Sequence, residues 1–131
     1  AIEYDPNNID YIFNAAYAFS DLGDNYQNLT FILYKTLINL DPLNGYALNN
    51  MGVSYGNMKL PILSINAFKK AMKQNITLAN SNLAYEYMQV GFYEEALEVL
   101  QSALKKDDAH KNVGTAYSDI VSRKENEEKL E

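Results

Sequence analysis

Leu83-Ala84-Tyr85-Glu86-Tyr87-Met88-Gln89-Val90-Gly91-Phe92-Tyr93-Glu94-Glu95-Ala96-Leu97-Glu98-Val99-Leu100-Gln101-Ser102-Ala103-Leu104 reads as two helical segments joined at a glycine. Ala84 and Tyr87 before Gly91, and Ala96, Leu100 and Ala103 after it, recur at helical spacing of three and four residues. Each set therefore lies along one stripe of a helix. Gly91 breaks the pattern, so the stretch predicts a helical hairpin with a tight turn. Ala84 falls where the first helix presses on the second, a place that admits only a small side chain. Tyr87 fills the wedge beneath it.

The same two patterns recur along the chain. Asn, two small or apolar residues, two variable residues and an aromatic appear as Asn14-Ala15-Ala16-x-x-Phe19, Asn50-Met51-Gly52-x-x-Tyr55, Asn82-Leu83-Ala84-x-x-Tyr87 and Asn112-Val113-Gly114-x-x-Tyr117. The second pattern reads Thr30-x3-Tyr34-x2-Leu37, Ser64-x3-Phe68-x2-Ala71 and Ala96-x3-Leu100-x2-Ala103. Ala16, Gly52, Ala84 and Gly114 are thus expected at helix crossings, with Phe19, Tyr55 and Tyr87 packed below them. Breakers stand at Gly23-Asp24-Asn25, at Asn57 to Pro61 and at Gly91. Pro61 suits a first helical turn, where its missing N–H needs no partner. Pro42 stops the helix before it. Helices are predicted over 9–22, 26–39, 45–57, 61–74, 77–89, 93–105 and 109–126, and no segment reads as a strand.

The ordered set of small residue, aromatic, Gly, Ala, large apolar residue, Ala and Asp-Pro resembles the tetratricopeptide repeat. The resemblance spans nearly the whole chain. Lys59 stands where a turn glycine is usual, Asp107-Asp108 replaces a closing proline, and the tryptophan that opens many family repeats is absent. It implies an all-α fold: a right-handed superhelical solenoid of about three tetratricopeptide hairpins plus a C-terminal capping helix. The expected division is one domain over 1–131. Residues 1–8 end a preceding repeat, 9–42, 45–75 and 77–107 form three repeats, and 109–131 form the capping helix. Ala1-Ile2-Glu3-Tyr4-Asp5-Pro6-Asn7-Asn8 parallels Leu37-Ile38-Asn39-Leu40-Asp41-Pro42-Leu43-Asn44, so the chain is expected to be a fragment of a longer repeat protein. The polar run Ser122 to Glu128 fits either a helix facing water or the start of a linker.

In such a solenoid the first helices line a concave groove. The stripe opposite Ile12, Ala16 and Phe19 holds Asp10, Asn14, Tyr17 and Asp21. The matching stripes hold Tyr46, Asn50, Val53 and Asn57, then Leu78, Asn82, Tyr85 and Gln89, with Asn112 on the closing helix. Asn14, Asn50, Asn82 and Asn112 occupy one place per unit. A primary amide has two donors and an acceptor, so such a row can hold a peptide backbone without reading its side chains. It resembles the asparagine ladder of some superhelical tetratricopeptide domains. Asn50 and Asn82 are expected to be exposed on that face. Another subtype clamps a C-terminal carboxylate with lysine and arginine. Phe13, Asn49, Ser81 and Leu78 stand on the corresponding faces here, which argues against that clamp.

Composition narrows the remaining classes. The 131 residues are 47% hydrophobic and 21% charged, which suits a folded domain. The net charge of −6 is uneven: residues 46–90 carry Glu86 against four lysines, and both flanks are acidic. No concentrated basic stripe is available to neutralise phosphates, so nucleic acid is not an expected partner. Nor is a membrane, since no apolar run approaches the roughly 18 residues of a span, and the first residues lack a secretory leader's layout. A chain without cysteine fits the cytoplasm. His110 is the only histidine, so a histidine metal site or triad is not expected; neither is any cofactor. The expected function is a scaffold that binds a peptide or protein segment in the groove, and not catalysis. Two alternatives remain. One is self-association through exposed solenoid ends, where Ile9, Ile12 and Phe13 would be uncovered. The other is a regulatory region of a larger enzyme.

Overall fold

Helix starts and stops follow from local chemistry. The computed structural model describes residues 8–130. Helix α1 (Ile9–Asp21) begins where the Asn8 side chain accepts a hydrogen bond from the Tyr11 amide at 3.0 Å. Asn44 does the same for the Ala47 amide at the head of α3 (Gly45–Asn57). Such caps satisfy amides that have no partner in the first turn. Helix α2 (Gln27–Leu40) follows a short 3-10 turn at Asp24–Tyr26, and α4 (Pro61–Lys73) carries Pro61 in its first turn. Helices α5 (Thr77–Gln89), α6 (Tyr93–Leu104) and α7 (Lys111–Leu130) complete the chain, and no strand occurs among the described residues. Of residues 1–8, expected to end a preceding repeat, all but Asn8 lie outside the described residues.

Two boundaries differ from expectation by more than one residue. Helix α7 starts later because His110 caps it: its Nδ1 accepts from the Asn112 amide at 3.1 Å. It also runs on through the polar segment to Leu130, which decides between helix and linker. That segment is rich in good helix formers, and Asp119–Arg123 and Lys124–Glu128 pair one turn apart. Tyr93 donates a hydrogen bond to Glu127, tying the far end of α7 back to the start of α6.

Consecutive helices pack as antiparallel hairpins, and three buried clusters join each hairpin to the next. Ile12, Ala16, Tyr34, Leu37, Ala47 and Met51 link α1, α2 and α3. Leu48, Phe68, Ala71, Ala79 and Leu83 link α3, α4 and α5. The third cluster runs from Ala84 through Leu100 to Val113, Ala116 and Ile120. No hairpin owns its core, so neighbours stabilise one another. Ile12 belongs to this buried set and Ile9 and Phe13 are half-buried, so the N-terminal end is more covered than expected.

The small residues divide. Ala16 and Ala84 are fully buried, and Gly52 lies so close to α4 that a Cβ there would sit 2.5 Å from two Phe68 ring carbons. Ser64 Oγ also donates to the Gly52 carbonyl at 2.7 Å across the same crossing. Gly114 breaks the expectation: it is exposed, and a Cβ there would meet nothing within 4 Å. Helix α7 buries only the stripe of Val113, Ala116 and Ile120, so no second helix presses on Gly114. Phe19, Tyr55 and Tyr87 are half-buried and pack edge-on or tilted against Tyr26, Phe31 and Phe92, with ring centroids 5.6, 5.6 and 6.5 Å apart.

Candidate functional site

The first helices of successive hairpins lie side by side, α3 against α5 and α5 against α7. Two clefts open along this face. The smaller, about 130 Å³, lies between α1 and α3, with Tyr17, Asn50, Val53 and Asn57 in its walls. Its floor is Thr30 and Tyr34 of α2. The larger, about 530 Å³, lies between α3 and α5 and holds Val53, Asn57, Asn82, Tyr85, Glu86 and Gln89. Gln27, Val53 and Asn57 border both, so the clefts share a wall.

Tyr17, Asn50, Val53, Asn57, Asn82, Tyr85 and Gln89 are thus brought together as the register predicts. Asp10, Asn14, Asp21, Tyr46 and Asn112 are exposed and Leu78 is half-buried, and none of them lines either cleft. Asn50 and Asn82 differ from expectation, being half-buried and already engaged. Asn50 Nδ2 donates to the Tyr34 hydroxyl at 3.0 Å, and Asn82 Nδ2 donates to Asn49 Oδ1 at 3.0 Å. Each amide keeps its carbonyl and a second N–H for another partner. Asn49, on a face where a carboxylate clamp would place a base, is buried beneath that bond.

Gln27, Lys59 and Glu86 are among the lining residues that the first-helix register did not predict. Gln27 and Lys59 come from the ends of turns, and Lys59 holds a left-handed backbone, φ 61°, where a glycine is easier. Glu86 is the third, and its carboxyl lies above the usual carboxylate range because burial disfavours its charge, an effect that Lys59 partly offsets. Burial also raises the Tyr34 phenol, against the Asn50 hydrogen bond, with Tyr17 and Asp21 adding to the rise. Tyr85 is raised by burial and then by Asp119, which faces its hydroxyl. A signal for Glu86 stood in the sequence: it is the only acid between Tyr46 and Val90.

Stacked antiparallel hairpins with a lined inner face define a helical repeat solenoid of the tetratricopeptide type. The chain has the tetratricopeptide-repeat fold, as solved structures show. The first tetratricopeptide domain of Spaghetti (RPAP3), bound to the HSP90 peptide SRMEEVD, superposes with a TM-score of 0.75 at 15% identity, covering 94% of this chain and 98% of that one. The thermophilic tetratricopeptide protein TTC0263 of Thermus thermophilus gives 0.76 at 17% identity, over 88% of this chain and 65% of that one. SycD, the type III secretion chaperone of Yersinia enterocolitica in complex with a peptide of the translocator YopD, gives 0.75 at 15% identity, over 94% and 99%. No family model and no curated protein matches the sequence. Among the described residues no helix is long and apolar enough to cross a membrane.

Proposed function

We propose that this chain is a scaffold module that holds a segment of a partner protein along the face formed by α1, α3 and α5. The observation that carries this reading is the pair of adjoining clefts with Val53 as a common wall. Their lining is amides and tyrosines beside apolar surface, chemistry suited to a polypeptide that offers both backbone groups and side chains. Two proteins of the same fold, the Spaghetti domain and SycD, are seen with peptides bound, which supports the same class of ligand here. The repeats over 9–42, 45–75 and 77–107 each contribute one first helix to the face, and the helix within 109–131 closes the stack. Asn50 and Asn82 hold the partner's backbone with their free amide groups, and Tyr17, Asn57, Tyr85 and Gln89 complete the contacts.

Selection from a displayed library of random peptides tests this. Peptides retained by the wild-type chain should lose most of their affinity for Val53→Arg, because Val53 is 41% exposed and an arginine there obstructs both clefts. Leu63→Arg, on α4 away from the clefts, should bind them normally. Equal binding by both variants, or no retained peptide, refutes the groove.

A further inference from the structure

Glu86 presents a chemical imbalance in the larger cleft. It projects from the same side of α5 as Asn82 and Gln89, one turn away on either side. It is half-buried, yet among the described residues no hydrogen bond or ion pair satisfies its carboxylate. Half-burial of an unpaired carboxylate is costly, and such groups ordinarily have a partner. The neighbouring helix makes room for it. The carboxylate rests against α3 at Gly56, where an added Cβ would lie 2.8 Å from Glu86 Oε1 and turn this free end of the side chain aside. The site therefore carries a local penalty, a partly desolvated carboxylate without a paired cation among the described residues.

We infer that Glu86 is the counter-ion for a lysine or arginine side chain of the bound segment, taken into the cleft between α3 and α5. Val53, 41% exposed, supplies apolar surface for the aliphatic stem of such a side chain. Asn57 and Gln89 offer amide oxygens for the N–H groups that the carboxylate leaves unpaired. Asp21 lies close enough to act on Tyr34, while Asp119, which faces Tyr85, is already paired with Arg123. Lys59 is the cation that faces Glu86, and it stands beyond ion-pair distance. The expected ligand is thus basic, opposite in character to the acidic HSP90 peptide held by the Spaghetti domain.

This inference rests on the groove reading, and the test separates the two. Random-peptide selection on the wild-type chain should enrich one fixed position in Lys or Arg. For a selected peptide, Glu86→Gln should weaken binding about ten- to a hundredfold, and replacing the peptide's basic residue by glutamine should do the same. The two changes together should cost little more than either alone, because they remove one shared contact. Circular dichroism should show the variant as helical as the wild type. If selected peptides lose binding to Val53→Arg but show no basic position, or ignore Glu86→Gln, the counter-ion role is overturned and the groove stands. If no peptide depends on Val53, both readings fall. If spermidine binds at Glu86 while basic peptides do not, the ligand is a free amine and the inference is likewise overturned.

Discussion

Replacing Gly52 and Gly114 by alanine should move stability in opposite directions. Both are helical glycines in the same motif position, and alanine favours a helix over glycine by about 1 kcal/mol. At Gly114 nothing lies within 4 Å of the new methyl, so only that gain remains. At Gly52 the methyl would sit 2.5 Å from Phe68 Cδ1 and Cε1 and 2.9 Å from Cζ, where carbons prefer roughly 3.5–4.0 Å. The ring must retreat by about 1 Å, but Phe68 is 2% exposed and boxed in by Leu48, Ala71, Ala79 and Leu83. Overpacking of this kind costs about 1–3 kcal/mol, and the enclosed ring of Phe68 puts this site at about 2–3, so the net loss should be about 1–2 kcal/mol after the propensity gain. At roughly 4 °C per kcal/mol for a chain of this length, Gly52→Ala should melt about 4–8 °C lower and Gly114→Ala about 4 °C higher. Thermal unfolding followed by far-ultraviolet circular dichroism reads both. A Gly52→Ala protein as stable as the wild type would refute the close crossing of α3 and α4. A destabilised Gly114→Ala protein would refute the open face of α7.

Ser64→Ala should cost about 1 kcal/mol in urea unfolding, since it removes the buried bond from Ser64 Oγ to the Gly52 carbonyl. Asn50→Ala, which withdraws the donor from the buried Tyr34 hydroxyl, should cost about 0.5–1.5 kcal/mol and raise the Tyr34 phenol further in an ultraviolet titration. Glu86 binds its proton more tightly folded than unfolded, so the stability it contributes is present below its unfolded value and lost as pH rises through its folded one. Glu86→Gln should therefore be more stable than the wild type near pH 7, with the gap closing as pH falls below about 4; an equal gap at both ends would show that its carboxyl is not shifted.

The architecture was legible because its determinants are local. Turns at Gly23 and Gly91 adopt φ of 95° and 86°, which glycine favours, and the stripes of Leu37, Phe68 and Leu100 declare a buried side without reference to any partner. Half of the groove was legible for the same reason: the phase of a helix puts Tyr17, Val53 and Tyr85 on one face whatever lies opposite.

What the sequence pattern leaves open are the pairings between helices, and three residues show why. Gly114 repeats the motif of Gly52, yet smallness matters only where a second helix presses, and none does so at Gly114. Asn50 and Asn82 hold equivalent places, yet one amide binds a tyrosine from α2 and the other an asparagine from α3. Their neighbours along the chain do not reveal this, since the choice depends on which side chain a distant helix delivers. Glu86 is the sharpest case. In sequence it is a lone acid among lysines, a pattern that ordinarily means a solvated surface. Its meaning depends on Gly56, a repeat earlier and on another helix, whose missing side chain gives the carboxylate its seat. Read separately, the glycine is a weak point in a helix and the glutamate a stray charge. Read together, they mark a half-buried carboxylate that Lys59 offsets only in part, and a basic ligand is the partner whose chemistry would complete the compensation.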